Sequence, residues 1–281
     1  MIIFKTTAAL SSFLKNSKEN GMSVGFVPTM GALHNGHISL VELSRKENKI
    51  TVCSIFVNPT QFNNPDDFKK YPKTIEKDID MLEKWGCDVL FLPEVDEIYH
   101  PGIELKHYNL GYLETLLEGE YRPGHFQGVC QVVDRLLEIV IPDRLYIGQK
   151  DYQQCMVITK LVELKKYDCK IIICPTLREP DGLAMSSRNL RLNPEQRKLA
   201  VHIYETMLMV KIELSKSEIG HIKQKAVNKL SNAGFRVDYV EISAASSLKP
   251  IITWDGHEKV VVLVAAYLDD IRLIDNMVLE K

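Results

Sequence analysis

The segment FVPTMGALHNGHISL, residues 26–40, joins an apolar run to a stretch with helical spacing. The run predicts a strand that ends at Pro28, and the loop after it contains Gly31. Residues 34–37, HNGH, then stand at the predicted start of a helix. Such a start presents unpaired N–H groups and a partial positive charge, both of which favour phosphate. Two imidazoles three residues apart would add donors on one face, although a helix cap with two solvated histidines fits the pattern equally well.

Outward from this segment, the first half of the chain alternates between two patterns. Short β-branched or apolar runs predict five strands, at 22–28, 50–57, 88–93, 143–148 and 170–175. Segments with helical spacing lie between them, at 37–48, 72–86, 129–140 and 152–167. Because the strands are apolar throughout, we predict an α/β fold with a parallel sheet buried by helices on both faces. Ligands bind such a sheet beyond the carboxyl ends of its strands.

The pattern changes near residue 176. Asn193, Pro194 and Gln196 predict a capped helix start. Helical spacing covers two segments, at 195–214 and 217–230, and three strand-like runs follow, at 235–243, 259–268 and 271–279. Helices first and strands afterwards predict a smaller α+β domain. We therefore divide the chain into domains 1–176 and 177–281.

Composition excludes several classes of protein. The 281 residues carry 35 Lys and Arg against 37 Asp and Glu, a net charge of −2, and 45% of them are apolar. A disordered chain has less apolar content and more net charge. Broad binding to nucleic acid or to a membrane surface needs a basic excess. The longest apolar run, 260–268, is too short to span a membrane, and we expect no signal peptide because the first residues lack a basic leader.

The six cysteines lie mostly within apolar runs. Cys169 and Cys174 are the closest pair in sequence, but no histidine pair lies near them, so their spacing does not indicate a zinc site. We interpret the cysteines as small buried hydrophobic residues of a reduced, cytoplasmic protein.

Two further segments suit phosphate. EPDGLAMSSRNLRL, 179–192, offers the hydroxyls of Ser186 and Ser187 beside Arg188, although a surface linker is the simpler interpretation of this segment alone. IGQKDYQQ, 147–154, lies where a predicted strand passes into a helix. Lys150 could meet phosphate, and Gln153 and Gln154 could bind hydroxyl or carboxylate oxygens, while a helix cap by Asp151 with a solvated lysine is the alternative.

Two more segments carry polar side chains near strand ends. Asn58 and Gln61, within 54–74, could line the same crevice, although asparagine and proline also make ordinary turns. Arg122 and His125 lie in a Gly/Pro-rich loop before a predicted helix, where they could contact substrate or pack the loop.

Together, five segments resemble one known family. They are PTMGALHNGH, FVNPTQFNNPDDFKKYP, YRPGHFQGV, GQKDYQQ and DGLAMSSRN, in the order and spacing of the pantoate–β-alanine ligase family. The resemblance covers essentially the whole chain. It implies a Rossmann-type N-terminal domain with a smaller C-terminal α+β lid domain, a homodimer, and membership of the nucleotidyl-transferring superfamily that shares the HxGH element.

The resemblance implies a reaction in two steps. Pantoate carboxylate attacks the α-phosphorus of ATP to give pantoyl adenylate and pyrophosphate. The amine of β-alanine then attacks the adenylate to give pantothenate and AMP. Magnesium would accompany ATP and be held mainly by its phosphates, with no metal site formed by the protein and no tightly bound cofactor. The implied partners are these small molecules, without nucleic acid or membrane.

Carried over residue by residue, the resemblance implies that His34, His37, Lys150 and Arg188 are catalytic. The ATP site would comprise Met30, Gly31, Ala32, Leu33, His34, Asn35, Gly36, His37, Gly148, Gln149, Lys150, Asp151, Leu177, Met185, Ser186, Ser187 and Arg188. Within it, Gly148 and Asp151 would approach the ribose, and Leu177 the adenine. Pantoate would be bound by Gln61, Gln154 and Asn58, with Gln61 also reaching β-alanine, and Tyr71 and His125 are second-line candidates.

The nucleophile of the implied first step is a carboxylate, which is already ionised near neutral pH and needs no base. Positioning and charge stabilisation should therefore dominate, and we expect His34 and His37 to stabilise the pentavalent phosphorus rather than shuttle protons. Gln149 departs from the glutamate common in the family, which removes a carboxylate beside the phosphate site. Two alternatives stay open, a different adenylyltransferase and a non-catalytic relative that binds nucleotide or tRNA.

Overall fold

A computed structural model describes residues 1–100, 102 and 104–280. The chain divides into two compact units. The first contains residues 1–149 and 153–175, and the second contains Lys150–Tyr152 and the chain from Thr176 onward. Lys150–Tyr152 thus group with the second unit, although the chain on either side of them belongs to the first. Residue 281, at which the second predicted domain ends, lies outside the described residues.

Six strands of the first unit form one parallel sheet in the order β1-β4-β3-β2-β5-β6. They are β1 (Ile2–Phe4), β2 (Val24–Thr29), β3 (Ile50–Ile55), β4 (Val89–Phe91), β5 (Arg144–Gly148) and β6 (Lys170–Cys174). The five predicted strands are all present, and β3 is buried at every position. The strand predicted to end at Pro28 continues to Thr29, and β1 is a further strand that was not predicted.

Helices join these strands and pack against the sheet. They are α1 (Thr7–Glu19), α2 (Asn35–Glu47), α3 (Pro65–Lys69), α4 (Ile75–Lys84), α5 (Val95–Ile98), α6 (Glu118–Tyr121), α7 (His125–Val140) and α8 (Tyr152–Lys165). Ile38 of α2 and Leu82 of α4 share one apolar cluster with Val27 of β2. Helix α7 also packs against β2, and α1 packs against α7. The predicted α/β architecture, with a parallel sheet covered by helices, is confirmed.

The strand order reverses beside β2. On one side of β2 the sheet contains β3, β4 and, at its edge, β1, whereas β5 and β6 lie on the other side. In an open parallel sheet the crevice at such a reversal, beyond the carboxyl ends of the strands, is where ligands bind. The segments that leave β2 and β5 there begin at Met30 and at Gln149. The topology of the first unit therefore places the HNGH segment and the end of β5 at the same edge.

In its described residues the second unit contains a three-stranded antiparallel sheet and three α-helices. The strands are β7 (Arg236–Ala244), β8 (Val260–Leu268) and β9 (Ile271–Leu279), in that order across the sheet, and the helices are α9 (Pro194–Leu199), α10 (His202–Glu213) and α11 (Ile219–Asn232). Met207 of α10 and Ile222 of α11 pack with Val262 and Val264 of β8 in one apolar core. This arrangement confirms the predicted α+β domain.

The single helix predicted over 195–214 is wrong in one respect, because it is observed as α9 and α10. Between them the amide of Ile203 bonds the carbonyl of Ala200, three residues back, at 3.3 Å. That is the tighter 3₁₀ pattern, which interrupts the regular α-helical ladder. The start of α9 is as predicted, since Asn193 and Gln196 form a reciprocal capping box. No helix in the described part of the chain is long and apolar enough to cross a membrane.

Candidate active site

The loop between β2 and α2 turns through two left-handed residues. Gly31 has a φ of +80° and Ala32 a φ of +48°. A Cβ on Gly31 would lie 3.0 Å from Ile55 Cγ2 and 3.1 Å from Asp78 Oδ2, so both the conformation and the close approach favour glycine. The loop is therefore drawn tightly onto the end of β3 before α2 begins.

Asp78 of α4 holds this loop in place. Its carboxylate is buried and accepts hydrogen bonds from the amides of Ala32 at 2.9 Å and Leu33 at 2.8 Å, and from the hydroxyl of Thr74 at 3.0 Å. Asp78 was not singled out from the sequence. The only signal there was an acidic residue four positions before Leu82 on the apolar side of a predicted helix.

His34 and His37 cap α2 reciprocally. His34 Nδ1 accepts from the amide of Gly36 at 3.1 Å, and His37 Nδ1 accepts from the amide of His34 at 3.4 Å. The ring centroids are 4.0 Å apart. Because an acceptor nitrogen carries no proton, the neutral form of each ring bears its proton on Nε2. The cap therefore fixes two imidazoles as Nε2–H donors at a helix N-terminus.

A second group of predicted residues meets around Gln61, which is buried. Asn58 Nδ2 donates to Gln61 Oε1 at 3.1 Å, and Gln61 Nε2 lies 3.2 Å from the sulfur of Met30. His125 Nδ1 donates to the backbone carbonyl of Gln61 at 2.9 Å. The structure thus brings Met30, Asn58, Gln61 and His125 together at the edge where β2 and β3 end.

Asn58 is an organising residue of this group. Its Oδ1 accepts from the Tyr99 hydroxyl at 2.9 Å, and its Nδ2 also donates to the carbonyl of Gly128 at 3.1 Å. Burial raises the pKa of Tyr99, so the phenol stays protonated as a donor. A Cβ on Gly128 would lie 2.3 Å from the carbonyl oxygen of Thr60, so α7 can approach this turn only because residue 128 is glycine.

A short hairpin of the second unit leads directly into the turn that contains Ser186, Ser187 and Arg188. The carbonyl of Leu177 accepts a hydrogen bond from the amide of Met185 at 3.0 Å. The next pair of residues, Arg178 and Ala184, forms an antiparallel β-bridge. The Ser186 hydroxyl then accepts from the amide of Arg188 at 3.3 Å and starts a 3₁₀ turn. The hairpin therefore brings Leu177 beside Met185, and the turn that follows it brings Ser186 beside Arg188.

The comparison with known proteins identifies the family. The model of the family described as pantoate-beta-alanine ligase matches residues 2–278. A pantothenate synthetase of Azobacteroides pseudotrichonymphae is 45% identical over 279 residues, with 99% of each chain covered. The chain belongs to the pantoate–β-alanine ligase family. As a member it is a ligase that condenses pantoate with β-alanine using ATP.

Solved ligases share its fold. The pantothenate synthetase of Thermus thermophilus superposes with a TM-score of 0.91 at 40% identity, and 99% of each chain is covered. The pantoate-beta-alanine ligase of Francisella tularensis superposes with a TM-score of 0.84 at 39% identity, covering 99% of this chain and 97% of that one. That enzyme was crystallised with β-γ ATP and β-alanine.

Some predicted residues of this ligase have other partners. Gln153, a candidate for binding ligand oxygens, is buried and uses its amide on protein backbone, donating to the carbonyls of Leu113 and Leu116 and accepting from the amide of Glu118. Gln154, the neighbour, is partly exposed in the first turn of α8. Gln153 therefore fixes the 113–118 segment, and Gln154 stays the candidate for substrate.

The remaining predicted residues lie as follows. Gly148 ends β5 and Gln149 follows it, both partly exposed. Lys150 Nζ lies 3.9 Å from the carboxylate of Asp151. Tyr71 is buried with its ring edge-on to Phe62 at 5.7 Å, an arrangement that packs the 59–71 turn.

Proposed function

We propose that this ligase proceeds through an acyl adenylate. A carboxylate oxygen of pantoate would bond to the α-phosphorus of ATP as the bond to pyrophosphate breaks. The amine of β-alanine would then bond to the acyl carbon, and AMP would leave with the electron pair of the broken C–O bond. The observation that carries the proposal is the reciprocal cap of α2, which fixes two Nε2–H donors at a helix N-terminus suited to phosphate.

Neutralisation of the phosphate charge of ATP is assigned to residues of two segments. We propose that Lys150 and Arg188 neutralise it, helped by Ser186 and Ser187. Their chemistry supports this role, because a guanidinium and an ammonium are the usual partners of phosphate oxygens. Ser186 also orders the first turn that contains Arg188. Gly148 and Asp151 are proposed to approach the ribose, and Leu177 and Met185 to flank the adenine.

Pantoate is assigned to Gln61 and Gln154, with β-alanine reaching Gln61. Asn58, expected from the resemblance to bind pantoate, is assigned the orientation of Gln61 instead, because its amide is committed to Gln61, Gly128 and Tyr99. The support is the burial of Gln61 and its orientation by Asn58 and by the backbone bond from His125. With one oxygen lone pair engaged by Asn58 and one N–H directed at Met30, the Gln61 amide retains one donor and one acceptor, which suits a substrate that bears both hydroxyl and carboxylate groups.

Magnesium is proposed to enter with ATP. In the described residues no group of three or more His, Cys, Asp and Glu side chains is arranged to hold a metal. This agrees with an ion held mainly by substrate phosphates, as Mg²⁺ often is. When bound, the ion would supply charge neutralisation on the pyrophosphate leaving group.

The two domains are proposed to have different roles. We propose that 1–176 binds ATP and pantoate, and that 177–281 is a lid which the Lys150–Tyr152 segment accompanies. A homodimer in the cytoplasm is also proposed. Six free cysteines, five of them buried, support a reducing compartment.

Isotope transfer tests the route. Pantoate labelled with ¹⁸O in its carboxylate is incubated with magnesium-ATP and β-alanine, and the AMP is analysed by mass spectrometry. An acyl adenylate transfers one carboxylate oxygen to AMP. Label in inorganic phosphate with ADP as the product would overturn the route. Release of pyrophosphate with a retained adenylyl product, and no β-alanine-dependent AMP, would indicate a different adenylyltransferase.

A further inference from the structure

Two consecutive residues of β9 have partners at Lys150 and at Arg178, which lies at the base of the hairpin that precedes Ser186 and Arg188. Asp275 accepts two hydrogen bonds from Arg178, at 2.6 Å and 3.1 Å. Asn276 Nδ2 donates to the backbone carbonyl of Lys150 at 2.7 Å. Both β9 side chains are buried, at 4% and 2% exposure. Consecutive residues of a strand point to opposite faces, so β9 engages one segment from each face.

Arg178 is fixed from several sides. It also donates to the carbonyls of Gly182 at 3.1 Å and Asn276 at 3.2 Å, and its guanidinium stacks 4.6 Å from the ring centre of Tyr204. Gly182, at a φ of +93°, allows this stacking, because a Cβ there would lie 2.1 Å from the Tyr204 ring. The base of the hairpin that bears Ser186 and Arg188 is therefore rigid.

The Lys150–Tyr152 segment is tied at both ends. Besides the bond from Asn276 to Lys150, the Tyr152 hydroxyl donates to the carbonyl of Ala245 at 2.8 Å. Burial raises the pKa of Asp275, and the charges of Arg178 and Lys150 oppose that rise. One buried carboxylate thus lies in the field of two cations, Arg178 and Lys150, and β9 is its scaffold.

We propose that Asp275 and Asn276 are positioning residues which hold Lys150 and the Ser186–Arg188 turn in one rigid body for ATP phosphate binding. The inference rests on the proposed function, since it takes Lys150 and Arg188 as phosphate ligands. In it, the side-chain donor of Asn276 fixes the backbone from which the Lys150 side chain projects. Pantoate binding does not depend on the hydrogen bond between Asn276 and Lys150.

The test is Asn276→Ala, with Asp238→Asn as the matched control. Asp238 accepts from Arg272 of β9 at 2.8 Å, a comparably buried pair on the same sheet but remote from either phosphate segment in sequence. We expect Asn276→Ala to raise the KM for ATP about fivefold, the factor for one net hydrogen bond, with the KM for pantoate unchanged. Asp238→Asn should lower the melting temperature and leave both KM values unchanged.

Equal shifts in both KM values, or no shift in the KM for ATP, would overturn the inference. A second measurement on the unaltered protein covers the case of a variant that does not fold. A nonhydrolysable ATP analogue should slow hydrogen exchange in 150–152, 176–188 and 271–279 together. Protection of the two segments without β9 would contradict the proposal. If the unaltered protein does not bind the analogue, the proposed function itself fails, which is a distinct outcome.

Discussion

His34 and His37 have a structural role that is separable from their proposed chemistry. Each ring uses Nδ1 to satisfy a backbone amide of the first turn of α2, and its neutral form carries the proton on Nε2. A side chain that accepts the same bond without an imidazole would keep the helix and lose the donor. Asparagine is such a side chain, because it is among the preferred N-cap residues.

We therefore predict that His34→Asn retains the stability of the unaltered protein and lowers kcat about 100-fold, the usual effect of removing one transition-state donor. His34→Ala should lower kcat similarly and also cost about 1 kcal/mol of unfolding free energy, because the cap is lost. Steady-state kinetics and urea unfolding measure the two effects. A His34→Asn variant with unaltered kcat would remove His34 from the chemistry.

His37→Ala should leave the fold intact and also lower kcat about 100-fold. His34, whose amide His37 caps, is a partly exposed residue, so we expect water to replace the lost acceptor. Circular dichroism checks the fold, and AMP formation gives the rate. An unchanged rate would contradict the role of His37 at the phosphorus.

Gln61→Ala should harm the use of pantoate more than the binding of ATP. Loss of an oriented amide predicts a rise of about tenfold in the KM for pantoate and a change within about twofold for ATP. Gln127→Ala is the matched control, because its amide serves the backbone of Tyr108 in the same unit. That control should lower stability without raising the KM for pantoate. A larger effect of Gln61→Ala on ATP would mean that the pantoate assignment is wrong.

Helix α7 positions the Asn58–Gln61 turn by close approach of backbone to backbone. Gly128 lies 70 residues from Asn58 in sequence, yet its carbonyl accepts from Asn58 and its Cα faces Thr60. An added methyl group would meet the carbonyl carbon of Thr60 at 2.5 Å and Gln61 Cα at 2.7 Å. Backbone atoms cannot yield as a flexible side chain can, so the turn itself must move.

Gly128→Ala should therefore cost about 2 kcal/mol of unfolding free energy and raise the KM for pantoate. Gly220→Ala is the control, because Gly220 also lies in a helix but has nothing within 4 Å of an added Cβ. It should gain about 0.5–1 kcal/mol of stability and leave the KM unchanged. Urea unfolding and pantoate titrations distinguish them, and a harmless Gly128→Ala would show that the turn is adaptable.

Across the whole molecule, patterns that act locally were predictable from the sequence and long-range contacts were not. Buried apolar runs predicted β2 to β6, whereas β1 has three residues, two of them exposed, and no such signal. The motifs identified Gln61 and the two capping histidines. The hydrogen bonds of Asp78 and Asn276 were not predicted because their partners lie 45 or more and 126 positions away.

A buried carboxylate of the first unit, Asp134, is expected to make stability depend on pH. Burial raises the pKa of Asp134, but hydrogen bonds from Tyr167, Tyr108, Lys106 and Lys165 outweigh it and leave that pKa below its usual value. Burial and the bond to Asp134 raise the pKa of both tyrosines. The fold thus favours the ionised carboxyl of Asp134 and the protonated phenols. The Asp134 carboxylate oxygens lie 2.8 Å from the Tyr108 hydroxyl and 2.5 Å from the Tyr167 hydroxyl.

The signs of these shifts predict loss of stability at both ends of the pH range. A carboxyl with a lowered folded pKa contributes stability that is present above its unfolded value, about 3.9, and is lost as pH falls. A phenol with a raised folded pKa contributes stability that is present below about pH 10 and is lost as pH rises. The unfolding free energy, measured in urea across this range, should fall below about pH 4 and above about pH 10.

Asp134→Asn should flatten the acid part of this stability curve and weaken the decline in its alkaline part. Tyr112→Phe, which removes an exposed phenol, should change neither part. Parallel curves for Asp134→Asn and the unaltered protein would show that this cluster does not govern the pH dependence.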